Sequence, residues 1–184
     1  MSRETEPMER DLLLCDRISD STVKDIITDI FKINRSDNEK QALYKDWTRP
    51  PIRLFLNTFG GNPYDALALV HVIKSSQTPV HTICVGSCMS AGLWVWLSGA
   101  QRFIGENATL MFHDIYSRTS DKTVGVQQEL NEMVRLQKLF VTEITKKSLI
   151  SADALNGYIE RKAEWYIPAD EAITLRLADG YYTG

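Results

Sequence analysis

Two stretches of this 184-residue chain follow the same order: a short run suited to a strand, a turn containing glycine, then a helix signal. In the first, residues 52–57 (IRLFLN) alternate in polarity and Gly60-Gly61 breaks the run. Asn62 and Pro63 then stand as N-cap and first helical residue, ahead of Ala66, Leu67, Leu69, Val70 and Ile73 at helical spacing. In the second, residues 80–85 (VHTICV) follow Pro79, residues 86–92 form a turn of mostly small residues, and residues 93–97 (LWVWL) belong to a fully apolar helix. Strands alternating with helices close into a sheet through parallel crossovers, and such sheets bind ligands at the carboxyl ends of their strands. Both glycine turns fall at such ends. The expected fold class is α/β.

The remaining elements fit that frame. Residues 11–15 read as a first strand, with Asp20 and Ser21 as cap candidates for a helix carrying Val23, Ile26, Ile27, Ile30 and Phe31. The polar segment 34–51 ends on Pro50-Pro51 and is expected to be a surface excursion. Short strands are expected at 102–104 and 109–113. A long amphipathic helix is expected over 124–147 with Leu130, Met133, Val134, Leu136 and Phe140 on its inner side. Ser151 caps a further helix, 165–167 is extended, Pro168 starts a helix, and Asp179-Gly180 turns into the terminal YYTG.

A chain of this length is expected to form one domain over residues 1–184, and 43% hydrophobic with 24% charged residues is the composition of an ordinary globular protein. A net charge of −3 with scattered Lys and Arg argues against a nucleic-acid partner. The N-terminal residues lack the apolar core of a secretory signal, and the apolar run 91–97 falls far short of the roughly 20 residues that span a bilayer, so a cytoplasmic protein without membrane attachment is expected. Cys15, Cys84 and Cys88 are odd in number and lack zinc-site partners, which makes them structural thiols. No metal or cofactor is expected.

Acyl transfer by a serine needs a hydroxyl beside an oriented base, with backbone N–H groups aimed at the developing oxyanion. Ser90 sits at the second strand-to-helix transition, where a serine is either a plain N-cap or a nucleophile. Its G-x3-S-x-G spacing departs from the G-x-S-x-G elbow of α/β-hydrolases. Of the three histidines, His71 falls within a helix and His81 lies at the strand end away from the glycine turns. His113 closes its strand at the same kind of end as Ser90.

The ordered set LNTFGGNPYDAL, TICVGSCMSAG and TLMFHDI, then a long helix and EWYIPADEA, resembles the proteolytic subunit of the Clp protease, the ClpP family, from about Arg10 to the C-terminus. The resemblance implies a ClpP/crotonase-like fold of repeated β-β-α units with a protruding strand-helix handle at about 114–147. It implies a serine endopeptidase acting on peptides or unfolded proteins inside two stacked heptameric rings, fed by a AAA+ Clp ATPase. Position by position, Ser90 matches the nucleophile, His113 the base, and the N–H groups of Gly61 and Ala91 the oxyanion hole. Phe55, Ile83, Phe103 and Tyr182 match an apolar pocket for ATPase loops.

The chain also departs from the family. Glu164 stands where the family has its third catalytic residue, an aspartate, and Glu160 is the fallback; the extra methylene moves the charge by roughly 1 Å, enough to cost about 10²-fold in rate if uncompensated. Only about ten residues, segment 1–10, precede the first strand where relatives carry a longer pore-lining segment, so no axial gate is expected of it. DIYSRTSDKTV after His113 lacks the family's Pro and Gly pattern. These departures leave a rival reading, a catalytically weak ring subunit that acts by assembling with a paralogue or ATPase. A crotonase-type hydratase ranks below both.

Overall fold

The structure is a computed structural model that describes residues 9–115 and 123–184. Strands β1 (Asp11–Leu14), β2 (Ile52–Thr58), β3 (Val80–Met89), β4 (Gln101–Ile104) and β7 (Gly180–Tyr181) lie in that spatial order, all parallel. Strand β5 (Thr109–Phe112) pairs parallel with the last residues of β3, and β6 (Trp165–Pro168) pairs antiparallel with β5. The helices are α1 (Asp20–Leu43), α2 (Pro63–Ser75), α3 (Ala91–Leu97), α4 (Thr123–Lys147), α5 (Ala152–Glu160) and α6 (Ala169–Thr174). This is the α/β class that the alternating elements imply, with the parallel sheet and helices of a ClpP fold.

One face of the sheet carries Leu12, Leu14, Leu54, Leu56 and Ile104, buried under Val23, Ile26, Ile30 and Ile33 of α1, Leu69 of α2 and the whole of α3. Each such aliphatic side chain contributes roughly 1.5–3 kcal/mol when fully withdrawn from water. The opposite face holds Leu13, Phe55, Ile83 and Phe103 in one cross-strand row, and Leu13 is 67% exposed.

Three sequence expectations need correction. Residues 34–43 are not a surface excursion but the last turns of α1, which runs on to Leu43. Their polar groups are used over long range: Asn34 accepts from the Thr78 N–H at 3.0 Å and donates to Ser76 Oγ at 2.8 Å, and the fully buried Asp37 is paired with Arg10 and accepts from Thr78 Oγ1 at 2.6 Å. The cap of α1 is Ser19, which forms a capping box with Thr22, rather than Asp20 or Ser21. The apolar stripe of α4 is buried at its C-terminal half: Leu136 and Phe140 are inside, with Phe140 stacked on Trp94 of α3, while Leu130 is 51% and Val134 61% exposed. The strand expected ahead of this helix falls on residues 116–122, and most of segment 1–10 on residues 1–8, outside the described residues.

Burial alone would raise the Asp37 carboxyl, but the hydrogen bonds from Arg10 and Thr78 and the charges of Arg10 and Arg49 outweigh it and hold it below the ordinary 3.8. A depressed folded-state value stabilises the fold at pH above the ordinary one and loses that contribution as pH falls through the folded-state value. Asp37→Asn is therefore expected to cost roughly 3 kcal/mol near neutral pH, the order of a broken buried pair. The gap to the native protein should narrow in thermal melts below about pH 4.

Candidate active site

The strands β2 and β3 run in step as far as Leu56 opposite Cys84, and next meet at Thr58 opposite Cys88, so β3 carries two extra residues over that interval. Asn57 holds the offset: its Oδ1 accepts from the Ser87 N–H at 3.0 Å and lies 3.1 Å from Ser87 Oγ. Beyond the offset β3 leaves β4 and pairs with β5 through Ser87–Thr109 and Met89–Met111. The expectation that residues 86–92 are all turn is thereby corrected, since the strand continues to Met89 and the reversal is confined to Ser90.

Ser90 has φ 54° and ψ −123°, a left-handed conformation that costs a non-glycine residue on the order of 1–3 kcal/mol. Its backbone is held on both sides: the N–H donates to Met111 O at 2.9 Å, and the carbonyl accepts from Leu93 N–H at 3.0 Å. Its side chain makes no capping bond to α3, so the plain N-cap reading does not describe it. A strained residue between strand and helix presents its side chain outward, as a nucleophile elbow does.

The glycine turn lies against it. A Cβ on Gly60, at φ +98°, would sit 2.8 Å from Met89 O and 2.9 Å from Ser90 Cβ. A Cβ on Gly61 would fall 2.1 Å from Ile18 O. Ile18 clamps this turn, donating from its N–H to Gly60 O and accepting at its own oxygen from Asn62 N–H, each at 2.9 Å. Thr58 Oγ1 accepts from the Gly60 N–H at 3.1 Å.

A cleft of about 910 Å³ opens there. Ser90, Ala91, Gly60 and Gly61 line it together with His113 and Glu164, while Trp94, Met111, Ile115 and Phe140 give it an apolar side, and Cys15, Asp16 and Arg17 come from the β1–α1 connection. His113 directly follows β5 and Glu164 directly precedes β6. Phe112 pairs with Trp165 at the end of the ladder, and His113 and Glu164 are the residues one step beyond it on the two strands. Glu164 is exposed, and its Oε2 accepts from the Tyr166 hydroxyl at 2.6 Å. Glu160, at the end of α5, does not line the cleft.

The other candidates separate from this site. His71 is exposed on α2, and His81 lies against Phe103 with ring centroids 6.0 Å apart, where burial holds its imidazole below the ordinary value. Ser87 is bound to Asn57, and the buried Cys88 thiol is pushed well up, first by burial and then by its bond with Cys84, so it stays protonated. Phe55, Ile83 and Phe103 form the cross-strand row on the outer sheet face, with Tyr182 edge-on to Phe55 at 5.4 Å between ring centroids. Sequence reading named the Gly60-Gly61 pair but not the packing of Gly60 on Ser90, and it missed Ile18, Asn57 and the Tyr166 partner of Glu164. The GG pair signals close approach, but which glycine packs on Ser90 depends on the offset between β2 and β3.

Fold and cleft together define an α/β protein of the ClpP type. A family model described as Clp protease matches residues 5–183, nearly the whole chain. The ATP-dependent Clp protease proteolytic subunit 1 of Prochlorococcus marinus subsp. pastoris is 21% identical over 173 residues, which are 93% of this chain and 82% of that one. The ATP-dependent Clp protease proteolytic subunit of Borrelia garinii subsp. bavariensis is 24% identical, over 93% of this chain and 83% of its own. The translocation-enhancing protein TepA of Halalkalibacterium halodurans is 26% identical over 132 residues, 68% of this chain and 51% of its own. The chain belongs to the Clp protease family, as a divergent member.

Gly60→Ala is expected to destabilise by roughly 1–3 kcal/mol, since the new methyl meets backbone and the Ser90 side chain together. Gly180→Ala, whose Cβ would meet only Phe103 at 3.8 Å, is the control and should stay within about 0.5 kcal/mol. Denaturant unfolding of both variants checks this.

Proposed function

We propose that this chain is a serine endopeptidase of the ClpP type, cutting peptide bonds of unfolded proteins or peptides through Ser90, His113 and Glu164. The observation that carries the reading is Ser90 itself, strained, released from capping and facing one cleft with a histidine and a carboxylate. Ser90 Oγ attacks the scissile carbonyl carbon as His113 takes its proton. The N–H groups of Gly61 and Ala91 receive the oxyanion, and His113 returns the proton to the leaving amine. Water, activated by the same imidazole, then cleaves the acyl-enzyme. Glu164 orients the ring and stabilises its charged form.

The proposal extends to assembly. Residues 1–184 act as one peptidase domain, with a handle over about 114–147 through which two heptameric rings stack in the cytoplasm. The exposed Leu130 and Val134 of α4 support such a contact, because an apolar stripe left open on one chain is covered in an assembly. The row of Phe55, Ile83, Phe103 and Tyr182 is proposed to receive apolar loops of a AAA+ ATPase. Among the described residues no helix is long and apolar enough to cross a membrane. A second reading, a catalytically weak ring subunit paired with a paralogue or ATPase, draws on Glu164, whose exposed carboxylate has a longer arm than aspartate.

Covalent labelling of the assembled protein by a fluorophosphonate tests the mechanism. Ser90 is expected to be labelled, and Ser90→Ala and His113→Ala each to lose on the order of 10³-fold or more of peptidase turnover, Glu164→Ala on the order of 10²-fold. No labelling of Ser90 in the assembled state overturns the mechanism. Labelling without turnover by the homo-oligomer favours the second reading.

A further inference from the structure

We propose that Tyr166 is a positioning residue for the site, clamping Glu164 so that its longer side chain presents one carboxylate oxygen to His113. The inference rests on the triad reading above.

Among the described residues strand β6 pairs only with β5, and along a strand every second side chain shares a face. Glu164 and Tyr166 therefore point to one side of the β5–β6 ribbon, as do His113 and Met111 across from them, and Met111, His113 and Glu164 all line the cleft. A glutamate has one more rotatable bond than an aspartate, and an exposed glutamate pays up to roughly 2 kcal/mol of rotamer entropy when fixed. Tyrosine is a stiff partner with two side-chain torsions. Its hydroxyl donates to Glu164 Oε2 at 2.6 Å, the length of a charge-assisted O–H···O⁻ bond, which leaves Oε1 for the imidazole. That hydrogen bond, followed by the charge of Glu164, pushes the Tyr166 hydroxyl above its ordinary value of 10.0, so it remains a donor throughout the neutral range.

Tyr166 is 53% exposed and does not line the cleft, so burial does not force its hydroxyl onto a partner. A phenylalanine would keep every ring contact and lose only the bond. The geometry assigns the hydroxyl the task of restoring the placement that the extra methylene disturbs.

The test measures the rate of Ser90 labelling by a fluorophosphonate across pH in the assembled full-length protein. Among the described residues, the charged groups that share the cleft with His113 are Glu164, just ahead of β6, and Asp16 and Arg17, and Asp114 is its neighbour in the chain. All are kept in Tyr166→Phe. That variant is expected to label about tenfold more slowly, the value of one hydrogen bond to a charged group. The acid limb of the profile should move to lower pH, because a loosely held carboxylate stabilises the imidazolium less. In a Glu164→Asp background, where the shorter side chain no longer reaches the phenol, the second change should be silent within about twofold.

Three outcomes overturn the proposal. If Tyr166→Phe labels at the native rate while Glu164→Ala is crippled, the triad stands and the clamp falls. If the loss persists in the Glu164→Asp background with an unmoved acid limb, Tyr166 acts on the fold alone. If Glu164→Ala labels as the native protein does, or Ser90 is not labelled at all, the triad reading fails and the clamp with it.

Discussion

The site depends on the offset between β2 and β3, where Leu56 faces Cys84 and Thr58 next faces Cys88. A uniform parallel ladder would keep β3 beside β4 to its end. The two extra residues, held by Asn57 through the N–H of Ser87, turn the last part of β3 toward β5 instead. That exchange of neighbours brings the ends of β3 and β5 together and with them Ser90 and His113. The cost is a stretch of ladder without regular pairing, and the Asn57 carboxamide takes over part of the hydrogen bonding that the ladder gives up.

Strain at Ser90 is tolerated because its surroundings over-determine it. The N–H is tied to Met111, the carbonyl to Leu93, and Gly60 leaves no room beside its Cβ. Behind it α3 is buried along its full length, so the backbone cannot relax without disturbing Leu93, Val95 and Trp96 in the core. An unfavourable local conformation persists when the alternatives cost more in lost packing.

What could be read from the sequence was local, and what could not was settled between distant segments. Asn62 and Pro63 mark the start of α2 because a cap and a fixed φ are properties of adjacent residues. The continuation of β3 through Gly86, Ser87, Cys88 and Met89 was hidden, because these residues look like a turn and only the change of partner strand makes them a ladder. Residues 34–43 look like a loop because the apolar stripe of α1 ends at Ile33; their helix is held by Arg10 and Thr78, far away in the chain. Glu164 and Glu160 are alike locally, and resemblance alone chose between them; the cleft, which Glu164 lines and Glu160 does not, is a property of distant segments.

The β5–β6 ribbon has one further consequence. Among the described residues β6 pairs with no strand but β5, and β5 joins the body of the sheet through a three-residue ladder with the end of β3, so His113 and Glu164 are both carried by that short ladder. Displacement of β5 and β6 together would leave His113 and Glu164 in step and separate them jointly from Ser90, and it must break the β3–β5 ladder along with the Ser90–Met111 hydrogen bond. If His113 and Glu164 act as proposed, loss of their alignment with Ser90 is therefore expected as a single event, with the two side chains departing as one body.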